Sequence, residues 1–153
     1  MSEAVYGAAV NEAAALLVNV TAKNIQDIQA EVLDVYWPQP SFPSLNVGQR
    51  VQFIGEGGTW GRVELRVGER AIVFLQRFTH RQGKAYEYCQ HIRVEEIEGR
   101  WWAADFFDIK RAKGVPSWLL DAAKPYQQGT DYFRVPFDVM ERHLRDIAKL
   151  SAA

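Results

Sequence analysis

The sequence predicts a mainly β fold: a small antiparallel barrel or strongly bent sheet with an N-terminal helical segment and a C-terminal helix. Seven segments between residues 16 and 107 have strand character, either through period-two alternation of apolar and polar residues or through continuous hydrophobicity. Glycine and proline turns separate these segments, and beyond residue 110 the apolar spacing lengthens to three and four. The 153 residues fit one domain, with a barrel over 16–107 followed by a helical extension over 115–150.

The N-terminal half contains a helical lead-in, strands and one long loop. Residues 2–15 are rich in alanine and contain no proline, which favours a short helix. Alternation begins at Leu16, and three prolines within residues 38–46 predict a loop, because proline cannot donate a ladder hydrogen bond. The seven predicted strands are residues 16–25, 28–37, 47–54, 62–67, 71–78, 85–98 and 100–107.

The fourth predicted strand, residues 62–67, shows the most regular alternation, with Val63, Leu65 and Val67 expected to face inward. The last three predicted strands follow one another through short polar turns, so they are expected to form an antiparallel meander. No internal repeat is visible in the sequence.

After residue 110 the pattern becomes helical. Residues 116–124 suit one or two turns that open at Pro116 and stop before Pro125. Residues 136–150 form the best helical pattern in the chain, with acidic side chains early and basic ones late, as the helix dipole favours. The apolar stripe expected to pack on the sheet consists of Phe137, Met140, Leu144 and Ile147.

Four stretches carry a resemblance to a known family: residues 16–25, AEVLDVYW (30–37), LNVGQRVQF (45–53) and LRVGERAIVFLQ (65–76). In this order they resemble the netrin-like domain, an OB-type barrel shared by tissue metalloprotease inhibitors and many bacterial proteins. The resemblance covers residues 15–107 and implies an OB-type barrel. Its motifs encode turns and core positions, so it implies a fold rather than a chemistry.

The cysteine content distinguishes this chain from the animal members of that family. Those inhibitors place an N-terminal cysteine at a zinc ion and are held by disulfides, whereas this chain begins Met1-Ser2 and has one cysteine, Cys89. A lone cysteine forms no intrachain disulfide, and residues 1–20 contain no apolar run long enough for a signal core or membrane span. We therefore expect a cytoplasmic protein that makes no membrane contact.

The charge balance bears on the class of partner. Eighteen Lys and Arg residues against nineteen Asp and Glu residues give a net charge of -1. A protein that binds nucleic acid through phosphate contacts usually carries a clear basic excess, so nucleic acid is not the favoured partner.

No pattern in the sequence supports a metal site or a catalytic site. Cys89 and His91, with His80 across a hairpin, could be a zinc site, but the ligand number and the expected pairing do not fit one. Asp105 and Asp108 could form a carboxylate pair, but charged residues at a solvated strand edge are much commoner. We therefore predict no metal, no cofactor and no catalytic residue.

Aromatic and arginine residues over segments 60–102 are the most informative remaining feature. Adjacent Trp101 and Trp102 must face opposite sides of a strand. Exposed Trp, Tyr and Arg are the residue types that dominate protein–protein binding energy. The predicted binding surface consists of Trp60, Tyr86, Tyr88, Arg93 and Trp102.

Three functions were open on this basis. The first is a non-enzymatic cytoplasmic protein-binding module, most concretely a bacterial immunity protein that neutralises a cognate toxin by binding it. The second is an OB-type protein that binds single-stranded nucleic acid through the arginine and aromatic residues. The third is an enzyme with a dispersed site around His91, Cys89 and Asp105. We expect the first.

Overall fold

A computed structural model describes residues 14–24, 27–37, 46–54, 65–77, 86–105, 115–125 and 133–151. The helical segment expected over residues 2–15 falls largely outside these ranges. Its last two residues, Ala14 and Ala15, belong to the first strand instead.

Mostly antiparallel β-sheet with a C-terminal helix makes up the fold. The strands are β1 (Ala14–Asn24), β2 (Asp27–Trp37), β3 (Arg50–Ile54), β4 (Arg70–Arg77), β5 (Tyr86–Ile97), β6 (Arg100–Asp105), β7 (Lys124–Pro125) and β8 (Phe133–Pro136). The helices are α1 (Ser117–Ala122) and α2 (Phe137–Ser151).

The eight described strands form one sheet in the order β3-β2-β1-β4-β5-β6-β8-β7. Neighbours in this order run antiparallel, as the short turns between them predict. The sheet is thus mostly antiparallel, as expected, and at one place the end of β3 also pairs in parallel with the start of β5, Phe53 opposite Tyr86 and Ile54 opposite Glu87. This extra pairing brings an edge strand of the sheet back to its middle.

Both faces of the sheet are apolar at its centre. The helix-side core includes Leu17, Ile72, Ile92, Met140 and Leu144. The opposite core includes Leu16, Val18, Val32, Phe53 and Val73. Strand β1 supplies successive residues to the two cores, which explains why it is buried on both faces along its first half. The two cores therefore share one strand.

Helix α2 packs on the helix-side core, as its apolar stripe predicts. Met140 and Leu144 are fully buried, Ile147 is nearly so, and Phe137 packs at the edge of the same core. The described helices include none long and apolar enough to cross a membrane.

Polar contacts fasten α2 to β2. The Tyr36 hydroxyl donates a hydrogen bond to Glu141 Oε2 at 2.8 Å, and Arg145 Nη2 lies 2.7 Å from Asp34 Oδ2. Burial and the bond to the Glu141 carboxylate raise the pKa of Tyr36 well above its ordinary value, so its hydroxyl stays protonated and donates. The pair sets the position of the helix along the strand.

Residues 62–67 were expected to form a strand, and this is wrong over their described part. Leu65 and Arg66 precede a turn at Val67 and Gly68, and Val67 is 59% exposed rather than inward-facing. Gly68 has a φ of +89°, a conformation that L side chains rarely adopt, so the chain turns there although the alternation continues in the sequence.

The same turn occurs twice, which corrects the expectation that the chain has no repeat. The pattern Leu-x-Val-Gly-Gln/Glu-Arg stands at residues 45–50 and 65–70. The amides of Gly48 and Gly68 donate at 2.8 Å to the carbonyls of Val32 on β2 and Val20 on β1. The two turns thus dock on two adjacent strands, β2 and β1, in the same way.

Strands β7 and β8 were not predicted, because the β pattern was expected to end near residue 110. Lys124–Pro125 and Phe133–Pro136 are two and four residues long, and each ends in proline. Segments this short have too few residues for an alternation to show. They extend the sheet past β6 and create the surface described next.

Candidate functional site

A row of basic residues crosses the strands that extend the sheet. Arg93 on β5 lies opposite Ala104 on β6, Ala104 lies opposite Arg134 on β8, and Arg134 lies opposite Lys124 on β7. Residues directly opposite each other in a sheet project from the same face. Three cationic side chains therefore share one face, with a small alanine between the first two.

The neighbouring row places an indole ring beneath these charges. Glu95 on β5, Trp102 on β6 and Pro136 on β8 are opposite one another in register. The Trp102 ring centroid is 4.4 Å from Arg134 Cζ, 5.1 Å from Arg100 Cζ and 6.0 Å from Lys124 Nζ. We call Trp102, Arg100, Lys124 and Arg134 the Trp102 cluster.

The Trp102 cluster lies on the face opposite helix α2. Ala103 and Val135, which alternate with the cluster residues along β6 and β8, belong to the helix-side core. In the other direction the row continues through Arg93 to Ala71 and then to Val18, both members of the opposite core. One face of the sheet is thus apolar at its centre and cationic on the extension.

The basic side chains differ in how they are neutralised. Arg93 pairs with Glu95 at 3.1 Å and lies 3.6 Å from Glu69. Arg100 lies 4.0 Å from Asp138, with more than half of each side chain exposed, so the attraction is weak.

Within the part of the chain that the structure describes, neither Lys124 nor Arg134 forms an ion pair. Arg134 Nε is buried and has no hydrogen-bond partner there. The cluster therefore keeps positive charge that the described residues do not neutralise.

Exposure determines which atoms a partner would meet. Trp102 is only 6% exposed, whereas the Arg100 side chain is 57% exposed and Lys124 is also exposed. The indole ring is thus a buried platform, held to the cations by attraction to its π face. The accessible chemistry of the site is guanidinium and ammonium.

Two of the five predicted binding residues meet at this site. Arg93 and Trp102 lie on adjacent strands and on the same face. The burial of Trp102 means that it supports the surface rather than standing out from it.

The other predicted binding residues are not placed at the site by the described coordinates. Tyr86 and Tyr88 lie farther toward the start of β5, opposite Arg77 and Leu75 on β4, and their side chains are not among those described. Trp60 lies outside the described residues.

Sequence reasoning missed most of the cationic residues. Arg100 follows a tight turn and was only one of several arginines in the aromatic-rich segments, so nothing marked it out. Lys124 and Arg134 lie on β7 and β8, which were not predicted at all.

Several residues considered for a metal site or a catalytic site lie beyond what the structure describes: His80 and Asp108 are outside the described residues, and the side chains of Cys89 and Asp105 are not described. The register between β4 and β5 shifts between Phe74 and Leu75, which face Gln90 and Tyr88, so Cys89 is the extra residue of a bulge. The bulge interrupts the alternation that was expected to put Cys89 and His91 on one face. No group of three or more His, Cys, Asp or Glu residues among those described could hold a metal ion.

The Trp102 cluster can bind negatively charged groups. Guanidinium offers several N–H donors in one plane, and ammonium offers three that rotate freely. The β-strands that carry these side chains hold in place the backbone from which the donors extend.

No family model, curated protein or solved structure matches this chain.

Proposed function

We propose that this chain is a non-enzymatic, cytoplasmic protein-binding module, most concretely an immunity protein that neutralises a cognate toxin by binding it. The Trp102 cluster is its contact surface. The observation that carries the proposal is the convergence of three cations on one indole ring, on the sheet face opposite the helix-side core. Arginine and tryptophan are also the residues most enriched at protein hot spots.

The scaffold we propose is an OB-type barrel of the netrin-like kind, formed by β1 to β5. The pairings β3-β2-β1-β4-β5, with β3 returning in parallel to β5, support it. The apolar core to which β1, β2, β3 and β4 contribute side chains supports it too. In this arrangement β6, β8 and β7 are an extension, and the Trp102 cluster lies beside the barrel rather than on it.

A protein partner is favoured over single-stranded nucleic acid by the character of two surfaces. OB-type proteins that bind nucleic acid use the outer face around strands two and three, where aromatic side chains stack on bases. The described exposed residues of β2 and β3 include Gln29, Glu31, Arg50 and Gln52, which offer no aromatic ring. Trp102 is only 6% exposed, so its ring is not open to a base.

Affinity capture from the source cell extract tests the proposal. The baits are the wild-type chain, Arg100→Glu and Arg50→Glu; both arginines are exposed, and each variant changes the net charge equally, but Arg50 lies on β3 outside the cluster. We expect one protein to be retained by wild type and Arg50→Glu, and lost or weakened about tenfold with Arg100→Glu, with no effect of nuclease.

Two results would contradict the proposal. Retention that disappears on nuclease treatment and falls steeply with salt would indicate nucleic acid. Equal retention by all three baits would show that the captured protein does not bind through the Trp102 cluster. For the immunity function, the captured protein should inhibit growth when expressed alone, and co-expression of this chain should restore growth.

A further inference from the structure

We infer that the Trp102 cluster is a carboxylate site that receives the acidic side chains of an extended Asp- or Glu-rich segment of the partner. This inference rests on the proposed protein-binding function and names the chemistry of the partner. Lys124 and Arg134 are the primary ligands, and Arg100 lies at the rim. Three independent features of the cluster lead to it.

The first feature is an uncompensated like-charge pair. Lys124 and Arg134 are directly opposite each other across β7 and β8, and like charges in that relation destabilise a sheet. Both are also held over the same ring, so they cannot separate fully. An anion between them would turn the repulsion into attraction to a shared partner.

The second feature is that the nearby acidic side chains already pair with other cations. Glu95, which is opposite Trp102 in register, bonds to Arg93 at 3.1 Å. Glu69 lies against the same arginine, and Asp138 approaches the exposed Arg100. The part of the chain that the structure describes thus leaves Lys124 and Arg134 to a partner from outside.

The third feature is the geometry of Arg134. Its guanidinium uses one face against the indole, 4.4 Å from the ring centroid, and its N–H donors lie in the guanidinium plane, so they remain for a ligand. Arg134 Nε is itself buried and has no partner within the described structure, so a ligand from outside would meet the terminal amino groups of the guanidinium. A carboxylate oxygen accepts such hydrogen bonds in pairs from arginine.

The size and stiffness of the site match an extended acidic segment. Pro125 follows Lys124 and Pro136 ends β8, so the backbone carrying the two ligands is held in place. A preorganised site loses little side-chain freedom on binding. Lys124 and Arg134, which form no ion pair with the described residues, lie beside the exposed Arg100, and this arrangement suits successive carboxylates. A nucleic-acid strand requires a longer row of basic residues.

A peptide titration tests the inference. The probe is a fluorescein-labelled deca-glutamate peptide, followed by anisotropy at low salt, with a labelled ten-nucleotide oligothymidylate as the second arm. The chains are wild type, Lys124→Gln, Arg134→Gln and Lys149→Gln. Lys149 is exposed on the last turn of α2, so its variant is a matched control for loss of one positive charge.

We expect wild type and Lys149→Gln to bind deca-glutamate alike, and Lys124→Gln and Arg134→Gln each to bind it about tenfold more weakly, as for one lost charge-assisted contact. Lys124 is exposed, so its variant is expected to fold. For Arg134→Gln, circular dichroism and an Arg134→Lys variant that keeps the charge separate misfolding from loss of binding. The indole resonance of Trp102, identified with Trp102→Phe, should shift on titration.

Three outcomes overturn the carboxylate site. An equal loss of deca-glutamate affinity in Lys149→Gln would show that the binding is non-specific. Tighter binding of oligothymidylate than of deca-glutamate would favour nucleic acid. Absence of deca-glutamate binding to wild type would show that the site does not exist. The proposed function is tested by a different result, the capture of a partner protein. If a captured protein is retained equally by Lys124→Gln and wild type, the chain binds a protein but the proposed carboxylate ligand is wrong.

Discussion

Gly48 and Gly68 are the residues at which the backbone most strictly limits the side chain. Both have φ near +90°, and both lie in the repeated turn, where their amides donate to a carbonyl of β2 or β1. A Cβ added at either position would meet no atom within 4 Å. The requirement for glycine is therefore conformational rather than steric.

Alanine at either glycine should lower the free energy of unfolding by about 1 to 2 kcal/mol, because an L side chain is strained in the left-handed region. The costs of Gly48→Ala and Gly68→Ala should agree within about 0.5 kcal/mol and add in the double variant, since the turns dock on different strands. Urea unfolding followed by circular dichroism measures them. A cost at only one glycine would refute the equivalence of the turns.

Single residues also show what a local pattern can reveal. Val67 alternates with its neighbours in the sequence as a strand residue would, yet it lies at the exposed apex of a turn. The glycine beside it identifies the turn, and the match with residues 45–50 could have been found by comparing the chain with itself. The repeated turn was therefore detectable in the sequence, but the alternation over residues 62–67 favoured a strand instead.

At the scale of elements, α1 and α2 contact each other where His143 and Arg142 of α2 pack against the Trp118 ring of α1. His143 on α2 is 3% exposed, and its ring is 6.2 Å from that of Trp118 on α1 in an edge-on arrangement. Arg142 lies over Trp118 at 4.0 Å from the ring centroid. Burial lowers the pKa of His143 from 6.5, with Asp146 acting in the opposite direction.

This shift predicts how stability changes with pH. The folded chain binds a proton at His143 less readily than the unfolded chain, so His143 disfavours the folded state as pH falls below 6.5 and has no such effect above it. We expect the unfolding free energy to fall between pH 7 and pH 5. In His143→Gln that part of the fall should be absent, whatever the variant's stability at pH 8.

The comparison is between the two pH profiles, measured by denaturant titration. Parallel profiles for wild type and His143→Gln over this range would show that His143 does not cause the pH dependence. The docking of α2 itself was predictable, because its stripe is a local property of fifteen successive residues. The contact of His143 with Trp118 was not, since it depends on where α1 lies.

At the scale of the whole molecule, two apolar cores share strand β1. Leu16 faces the opposite core and is fully buried, and Leu144 of α2 is fully buried in the helix-side core. Since β1 has residues in both cores, neither can be lost without exposing one face of the same strand. The cores are therefore expected to unfold together.

Leu16→Ala and Leu144→Ala should each lower the free energy of unfolding by about 2 to 5 kcal/mol, the cost of a cavity in a packed core. Each variant should still unfold in one transition, with tryptophan fluorescence and far-ultraviolet circular dichroism coinciding. Val67→Ala, at an exposed position, is the control and should change stability by less than about 0.5 kcal/mol. Separate transitions in Leu144→Ala would show that the helix-side core melts independently.

Six of the strands, both described helices and the apolar stripe of α2 could be predicted from the sequence alone. These are local properties: a long strand or helix with a buried face must place apolar residues at the spacing of its own backbone. The same reasoning identified Arg93 and Trp102 as residues of interest. It did so from their type alone, without showing that they lie on the same face of adjacent strands.

Only the tertiary structure decided the Trp102 cluster. Its members come from β6, β7 and β8, and two of these strands are too short and too rich in proline to show a period. Which residues stand opposite one another depends on the register between segments far apart in the chain. That register is set by backbone hydrogen bonds and by packing of the opposite face under α2, and neither is encoded in the neighbours of Lys124 or Arg134.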